Sequence, residues 1–207
     1  MKVMLMSCPD RALSLIYAAG RCCKSAKNPI EIYSENILAS DKPALEFAIG
    51  LRNAGHLSVF EHVALTFAVA EVSRALLAQI TRHRHLSFSV QSQRAVCATK
   101  FPGRAINHID LPHGNDEAKA LYKKLIKTIS KGYEDLVKNG VKYEDARMIL
   151  PQAACTNMVI SMNLRSFIEL WEKRVVTPGA QQEIRDLIVE MAKCLEKKYY
   201  WIFELLK

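Results

Sequence analysis

The chain alternates short β-rich apolar runs with stretches whose apolar residues recur every three to four positions, so its pattern predicts strands as well as helices. Residues 3–6 read as a short strand, and Pro9 and Asp10 open a helix with Leu13, Ile16 and Tyr17 on one face. Ser40, Asp41, Lys42 and Pro43 form a helix start, a capping oxygen ahead of a proline in the first turn. Gly55 suits the left-handed stop that follows Arg52, Asn53 and Ala54. Residues 64–70 are a β-rich run, after which Ser73 is placed to cap a helix through Ala75, Leu76, Leu77 and Ala78 towards Arg82. Residues 101–114 are irregular. Ala118, Leu121, Tyr122, Leu125, Ile126, Ile129 and Tyr133 then mark one long amphipathic helix ending near Gly140. A further helical turn or two over 144–150 stops at Pro151. Residues 156–162 resemble a buried strand, Asn163 caps the next helix, and Pro178 opens a final one through Ile184, Leu187, Ile188, Met191 and Leu195. No repeat, low-complexity stretch or linker interrupts this order. The expectation is a single α+β domain over residues 1–207, with a central, mostly antiparallel sheet flanked by helices.

Composition narrows the class without choosing a function. With 207 residues, half of them apolar, the chain can bury a sizeable core. No apolar stretch reaches the roughly 18 residues that span a bilayer, and Met1, Lys2 and Val3 lead into a strand-like run without a signal peptide's cleavage site, so a cytoplasmic protein is expected. Cys8, Cys22, Cys23, Cys97, Cys155 and Cys194 form no Cys-x-x-Cys pair and read as reduced, packed thiols. The net charge of +8 favours acidic partners: nucleic acid, anionic membrane or phosphorylated small molecules. Much of it lies on Lys119, Lys123, Lys124, Lys127, Lys131, Lys138 and Lys142, which read as a solvated helix face.

Residues 79–94 stand apart. Arg82, His83, Arg84 and His85 are followed by Ser87, Ser89, Gln91, Ser92 and Gln93 and closed by Arg94. Burying those cations unpaired would cost several kcal/mol each, so the pattern points to a polyanionic ligand. Arginine forks match phosphate oxygens, while Ser and Gln orient a ring by neutral hydrogen bonds. On a helix Gln79, Arg82 and His83 would be neighbours, and the run from Ser87 to Arg94, which has no clean period, reads as a loop wrapping a phosphate. His83 and His85 lack accompanying residues with metal-ligand spacing, so no metal is expected. Arg147 has a bland alternative, an i to i+3 pair with Glu144, and Ser92 has no visible general base that would make it a nucleophile.

The order Arg82-His83-Arg84-His85-Leu86-Ser87, then Ser92-Gln93-Arg94, resembles the signature of flavin-dependent thymidylate synthases. Gly55 to His62, Ser73-Arg74 with Gln79, Asp145 to Pro151, and Asn163-Leu164-Arg165-Ser166 leading to Arg174 agree with that family in order, so the resemblance covers nearly the whole chain. It implies reductive methylation of dUMP to dTMP, with methylenetetrahydrofolate as carbon donor, reduced FAD as hydride donor and NADPH as reductant. By the resemblance, Gln79, Arg82, Ser92, Gln93, Arg94, Arg147 and Arg174 hold dUMP, and His56, Ser58, Arg82, His83, Arg84, Asn163 and Arg165 hold FAD. By the same match Arg174 is the expected catalytic residue, facing the uracil and stabilising charge that develops on it. The resemblance further implies a homotetramer with shared active sites and neither nucleic acid nor membrane as partner.

The departures are Ser89-Val90 where the family often has Asn-Glu, Ala95 where it often has Tyr, and Glu169 where it often has an amide or imidazole. They keep open a flavin- or nucleotide-binding paralogue impaired in methyl transfer. A basic nucleic-acid-binding module is the other alternative, although Phe88 is the one base-stacking aromatic near the cluster.

Overall fold

The computed structural model describes residues 1–38, 41–98 and 108–206. Among them, strands β1 (Lys2–Ser7), β2 (Ala64–Ser73), β3 (Leu86–Val90) and β4 (Cys155–Asn163) form one antiparallel sheet in the order β1-β2-β4-β3. The helices are α1 (Ala12–Cys22), α2 (Pro29–Leu38), α3 (Asp41–Asn53), α4 (Arg74–Ile80), α5 (Asp116–Lys138), α6 (Tyr143–Ala146), α7 (Leu164–Trp171), α8 (Gln182–Tyr199) and α9 (Trp201–Leu206). The mixed α+β class is as expected. The proposed cap Ser40 and the irregular residues 101–107 lie outside the described residues.

In β2 the side chains of Leu65, Phe67 and Val69 are buried in alternation, and the alternation then slips by one residue to Val72. The slip falls at Glu71, whose φ of 61° is left-handed, the signature of a bulge that re-aims the end of a strand. In β4, Thr156, Met158, Ile160 and Met162 are buried in unbroken alternation.

The chain divides into two compact units. The first comprises Met1–Lys2, Val69–Arg82 and Ser89–Met158. Here Ser73 caps α4, its hydroxyl oxygen accepting from the Leu76 N–H at 2.9 Å, and Asn115 caps α5 by the same geometry on Ala118. Tyr133, Ala146 and Ala154 form a small core with Cys97, Leu136 and Leu150 packed on it. The Tyr133 hydroxyl accepts from the Ala98 N–H at 3.2 Å, which ties the segment after Arg94 to α5. The lysines of α5 are exposed as expected, but so are Leu121 (58%) and Leu125 (52%), which the helical pattern had assigned to the apolar face. That face is wider than what the unit covers.

The second unit comprises Val3–Ala68, His83–Phe88 and Val159–Lys207. In it α1 meets α3 at Gly20, where an added Cβ would come within 2.7 Å of Leu51 and 2.8 Å of Phe47. Phe67 stacks on Phe167 with ring centroids 6.2 Å apart, and both rings are fully buried. The last long helix starts at Gln182, not at Pro178; Pro178 and Gly179 form a turn, with φ of 96° at the glycine. Ile184, Leu187, Ile188, Met191 and Leu195 are its buried stripe, as the pattern predicts. Cys22 and Cys23 are exposed rather than packed, because α1 ends there.

Candidate functional site

The sequence places a helix under Gln79, Arg82 and His83. The structure ends α4 at Ile80: the Thr81 hydroxyl and N–H both donate to the Leu77 carbonyl, at 2.8 and 3.1 Å, and the chain leaves the helix there. Gln79 therefore sits on the last turn of the helix and Arg82 beyond it, so the expected common helical face does not form. Residues 87–90, part of the run expected to be loop, belong with Leu86 to strand β3: Leu86, Phe88 and Val90 are half-buried while Ser87 and Ser89 are exposed, a period of two.

After β3 the first unit builds a tight turn. Gln91 N–H donates to the Asn157 carbonyl and Asn157 Nδ2 donates to Gln91 Oε1, both at 2.9 Å. The Ser92 hydroxyl oxygen accepts from the Arg94 N–H at 3.2 Å, and Val96 N–H donates to the Ser92 carbonyl at 3.0 Å. Two arginines meet at Glu144. Arg94 Nε pairs with its carboxylate at 3.2 Å, and Arg147 Nε donates to its backbone carbonyl at 3.0 Å. The bland alternative for Arg147 thus appears in altered form, with the carbonyl as acceptor and the carboxylate given to Arg94.

Arg74 adds a member that the sequence offered only as part of a matching block. Its Nη2 donates to the Gln91 carbonyl at 2.9 Å, and its buried Nε has no partner among the described residues. Burial first, then Arg147, pulls the guanidinium below its ordinary pKa. Arg74, Gln91, Ser92, Gln93, Cys155 and Asn157 line a cavity of about 230 Å³. Cationic and neutral donors with a backbone turn are what an anionic group with a polar ring needs.

In the second unit Arg174 lies in a π-helical turn, Glu172–Val176. Thr177 closes it, donating to the Glu172 carbonyl from its N–H at 2.9 Å and from its hydroxyl at 2.8 Å. Arg52 pairs with the Glu172 carboxylate at 3.2 Å, and Arg185 donates to the Val175 carbonyl at 3.0 Å. Such turns are rare and concentrate at functional sites. Half-buried Arg174 donates from Nε to His83 Nε2 at 2.9 Å. Burial first, then Arg174 and Lys173, lowers the His83 pKa, so the imidazole is neutral at pH 7 and has a lone pair to accept with.

The other residues expected at this site are dispersed along the same unit. His56 and Ser58 are exposed at the start of the 3-10 turn Leu57–His62, just after Gly55 at φ 76°. Arg84 is exposed and has no side-chain partner among the described residues. His85 is held at φ 62°. Asn163 Oδ1 is used in capping α7, accepting from the Ser166 N–H at 2.9 Å, which leaves its Nδ2 donors. Arg165 is engaged by two carboxylates, Glu61 at 2.7 Å and Glu169 at 3.1 Å. Among the described residues no cluster of His, Cys, Asp or Glu is arranged to hold a metal ion, and no helix is long and apolar enough to cross a membrane.

Comparison with known proteins places the chain in one family. The family model described as thymidylate synthase complementing protein matches residues 4–199. The chain is 34% identical over 199 residues to the flavin-dependent thymidylate synthase of Geobacter sulfurreducens, covering 95% of this chain and 82% of the relative. To the enzyme of the same name from Haloarcula marismortui it is 33% identical over 229 residues, covering 92% and 89%. Among solved structures, the flavin dependent thymidylate synthase of Helicobacter pylori complexed with FAD and dUMP superposes with a TM-score of 0.76 at 21% identity over the whole of both chains. A UMP/dUMP methylase from Streptomyces cacaoi bound with 5-Br dUMP gives 0.76 at 18% identity, covering 99% and 93%. Matched by the family model over most of its length, more than 30% identical to these enzymes and sharing the fold of the solved structures, the chain belongs to the flavin-dependent thymidylate synthase family.

Proposed function

We propose that this protein methylates dUMP to dTMP reductively, with methylenetetrahydrofolate giving the carbon and NADPH acting as reductant. The observation that carries the reading is the turn after β3, in which Ser92 and Arg94 are drawn together by Gln91, Asn157 and Arg74. Gln79, Arg82, Ser92, Gln93, Arg94 and Arg147 are the residues for dUMP, with the Arg94 guanidinium on its phosphate. Arg174 faces the uracil and stabilises the negative charge that develops there, a fixed cation aimed at transition-state charge. Ser92 positions substrate. Its hydroxyl is engaged by the Arg94 N–H, and no carboxylate-oriented histidine is described beside it to act as base.

His56, Ser58, Arg82, His83, Arg84, Asn163 and Arg165 are the residues for FAD, which supplies hydride chemistry when bound. Exposed Arg82 and Arg84, without side-chain partners among the described residues, fit a pyrophosphate. Arg165 fits less simply: Glu61 and Glu169 outweigh its charge, so a carboxylate has to turn away before the guanidinium can face a pyrophosphate. Leu121 and Leu125, exposed one turn apart on α5, support a homotetramer whose subunits share active sites, because neighbouring apolar side chains left uncovered are what a subunit interface buries. One domain is the simplest account of the two units, since β2 and β4 each continue from one into the other. A cytoplasmic location fits an enzyme of nucleotide synthesis.

The test combines colour with turnover. Reconstitution with FAD should give the visible flavin bands, and Arg174→Ala should keep them while losing dTMP formation. Ser92→Ala should turn over with weakened dUMP binding. A protein that takes up no FAD, or an inactive Ser92→Ala enzyme with normal dUMP affinity, contradicts the assignment.

A further inference from the structure

We infer that His83 is a positioning residue for the reaction: its Nε2 holds the Arg174 guanidinium by accepting from Nε, which leaves the terminal Nη1 and Nη2 as the pair presented to the uracil. The inference rests on the reading of Arg174 given above. An arginine side chain has many rotamers to choose among, and a charge that is to stabilise a transition state must be aimed before the reaction begins. The π turn fixes only the backbone of Arg174, through Thr177, Arg52 and Arg185. The side chain itself has one hydrogen bond among the described residues, and it is the 2.9 Å bond to His83, formed between positions 91 residues apart. Because a guanidinium is planar, holding Nε fixes the plane in which the outer two nitrogens lie.

The bond requires a particular state of the ring. Nε2 accepts only if it carries no proton, so His83 is neutral with its proton on Nδ1. The charges acting on it from the π turn are Arg174 and Lys173, both positive, and Arg82, Arg84 and His85 flank it on its own segment. No carboxylate among the described residues acts to favour an imidazolium. Burial first, then Arg174 and Lys173, lowers the pKa, so the acceptor is present at neutral pH and is lost below the ordinary imidazole range. Protonation removes the lone pair and sets one cation against another, and Arg174 is released.

The experiment uses the full chain and the variants His83→Ala and His83→Gln, the second keeping an acceptor that does not titrate. Nitrogen NMR of ligand-free protein labelled in arginine and histidine reads the bond directly. At pH 7 His83 Nε2 should be unprotonated, and the Arg174 Nε–H should exchange slowly in the parent and in His83→Gln but fast in His83→Ala. With FAD saturating, kcat of His83→Ala should fall roughly 10- to 100-fold, the scale of a misaimed group, while KM for dUMP changes less than about threefold. His83→Gln should recover most of the rate and lose the acidic limb of the kcat profile. An Arg174 Nε–H that exchanges alike in parent and His83→Ala overturns the inference, as does an FAD-saturated His83→Ala enzyme within about twofold of the parent. A parent that binds FAD and dUMP yet forms no dTMP is a different failure: it removes the reaction proposed above, and with it any catalytic role for His83.

Discussion

Replacing Arg94 by alanine separates what the residue does for the fold from what it does for a ligand. Its contact with Glu144 is a single-point pair at 3.2 Å, and the Arg94 side chain is 67% exposed. Exposed pairs of this kind contribute about 0.2–1 kcal/mol, which in a chain of this size is a shift in Tm of no more than about 2–4 °C. A charge-assisted hydrogen bond to phosphate is larger, about 1.5–3 kcal/mol. Up to about 1 kcal/mol is spent in releasing Arg94 from Glu144, so the net loss on truncation is about 0.5–2.8 kcal/mol, or roughly 2- to 100-fold in Kd for dUMP. Titration calorimetry at low and at physiological salt measures it, and the gap between parent and Arg94→Ala should narrow as salt screens the contact. Deoxyuridine, which lacks the phosphate, should bind both proteins equally. Equal dUMP affinity in the two proteins, or an equal loss for deoxyuridine, refutes the assignment of Arg94 to the phosphate.

The remaining expectations concern the scaffold. Phe167→Ala removes a fully buried ring stacked on Phe67 and should cost about 3–5 kcal/mol by denaturant titration; a loss under about 1 kcal/mol would mean that the site collapses freely. Ser73→Ala deprives the Leu76 N–H of its acceptor and should cost about 1 kcal/mol, with Ser73→Asp close to the parent in the same assay. Burial, the largest cause, pushes the Cys8 thiol up to about 11, so the folded state favours its protonated form. The resulting contribution to stability is complete below the ordinary thiol range near 9 and is lost as pH rises towards 11. Alkylation at pH 8 followed by mass spectrometry should mark exposed Cys22 and Cys23 well before Cys8, and simultaneous labelling would contradict the burial.

Features whose cause is local were readable in the chain itself. Ser73 and Asn163 cap the helices they precede, Gly55 stops α3 with positive φ, and the stripe of α8 is buried residue for residue, because a cap, a turn or a helical face is decided within a few positions. The run from Arg82 to Arg94 was legible as chemistry because no core accommodates it. What the sequence left undecided depends on partners far along the chain. Strand β3 alternates over only five residues, with serines on its exposed side, and it becomes a strand by pairing with β4. The π turn under Arg174 gains support from Arg52, 120 residues before Glu172. The sequence offered Glu144 to Arg147 alone, and the tertiary structure gave its carboxylate to Arg94 and its carbonyl to Arg147. Local preferences in such places differ by tenths of a kcal/mol, so burial and the pairing of distant polar groups decide the outcome, as they do in bringing Arg174 to the one ring nitrogen of His83 that can hold it.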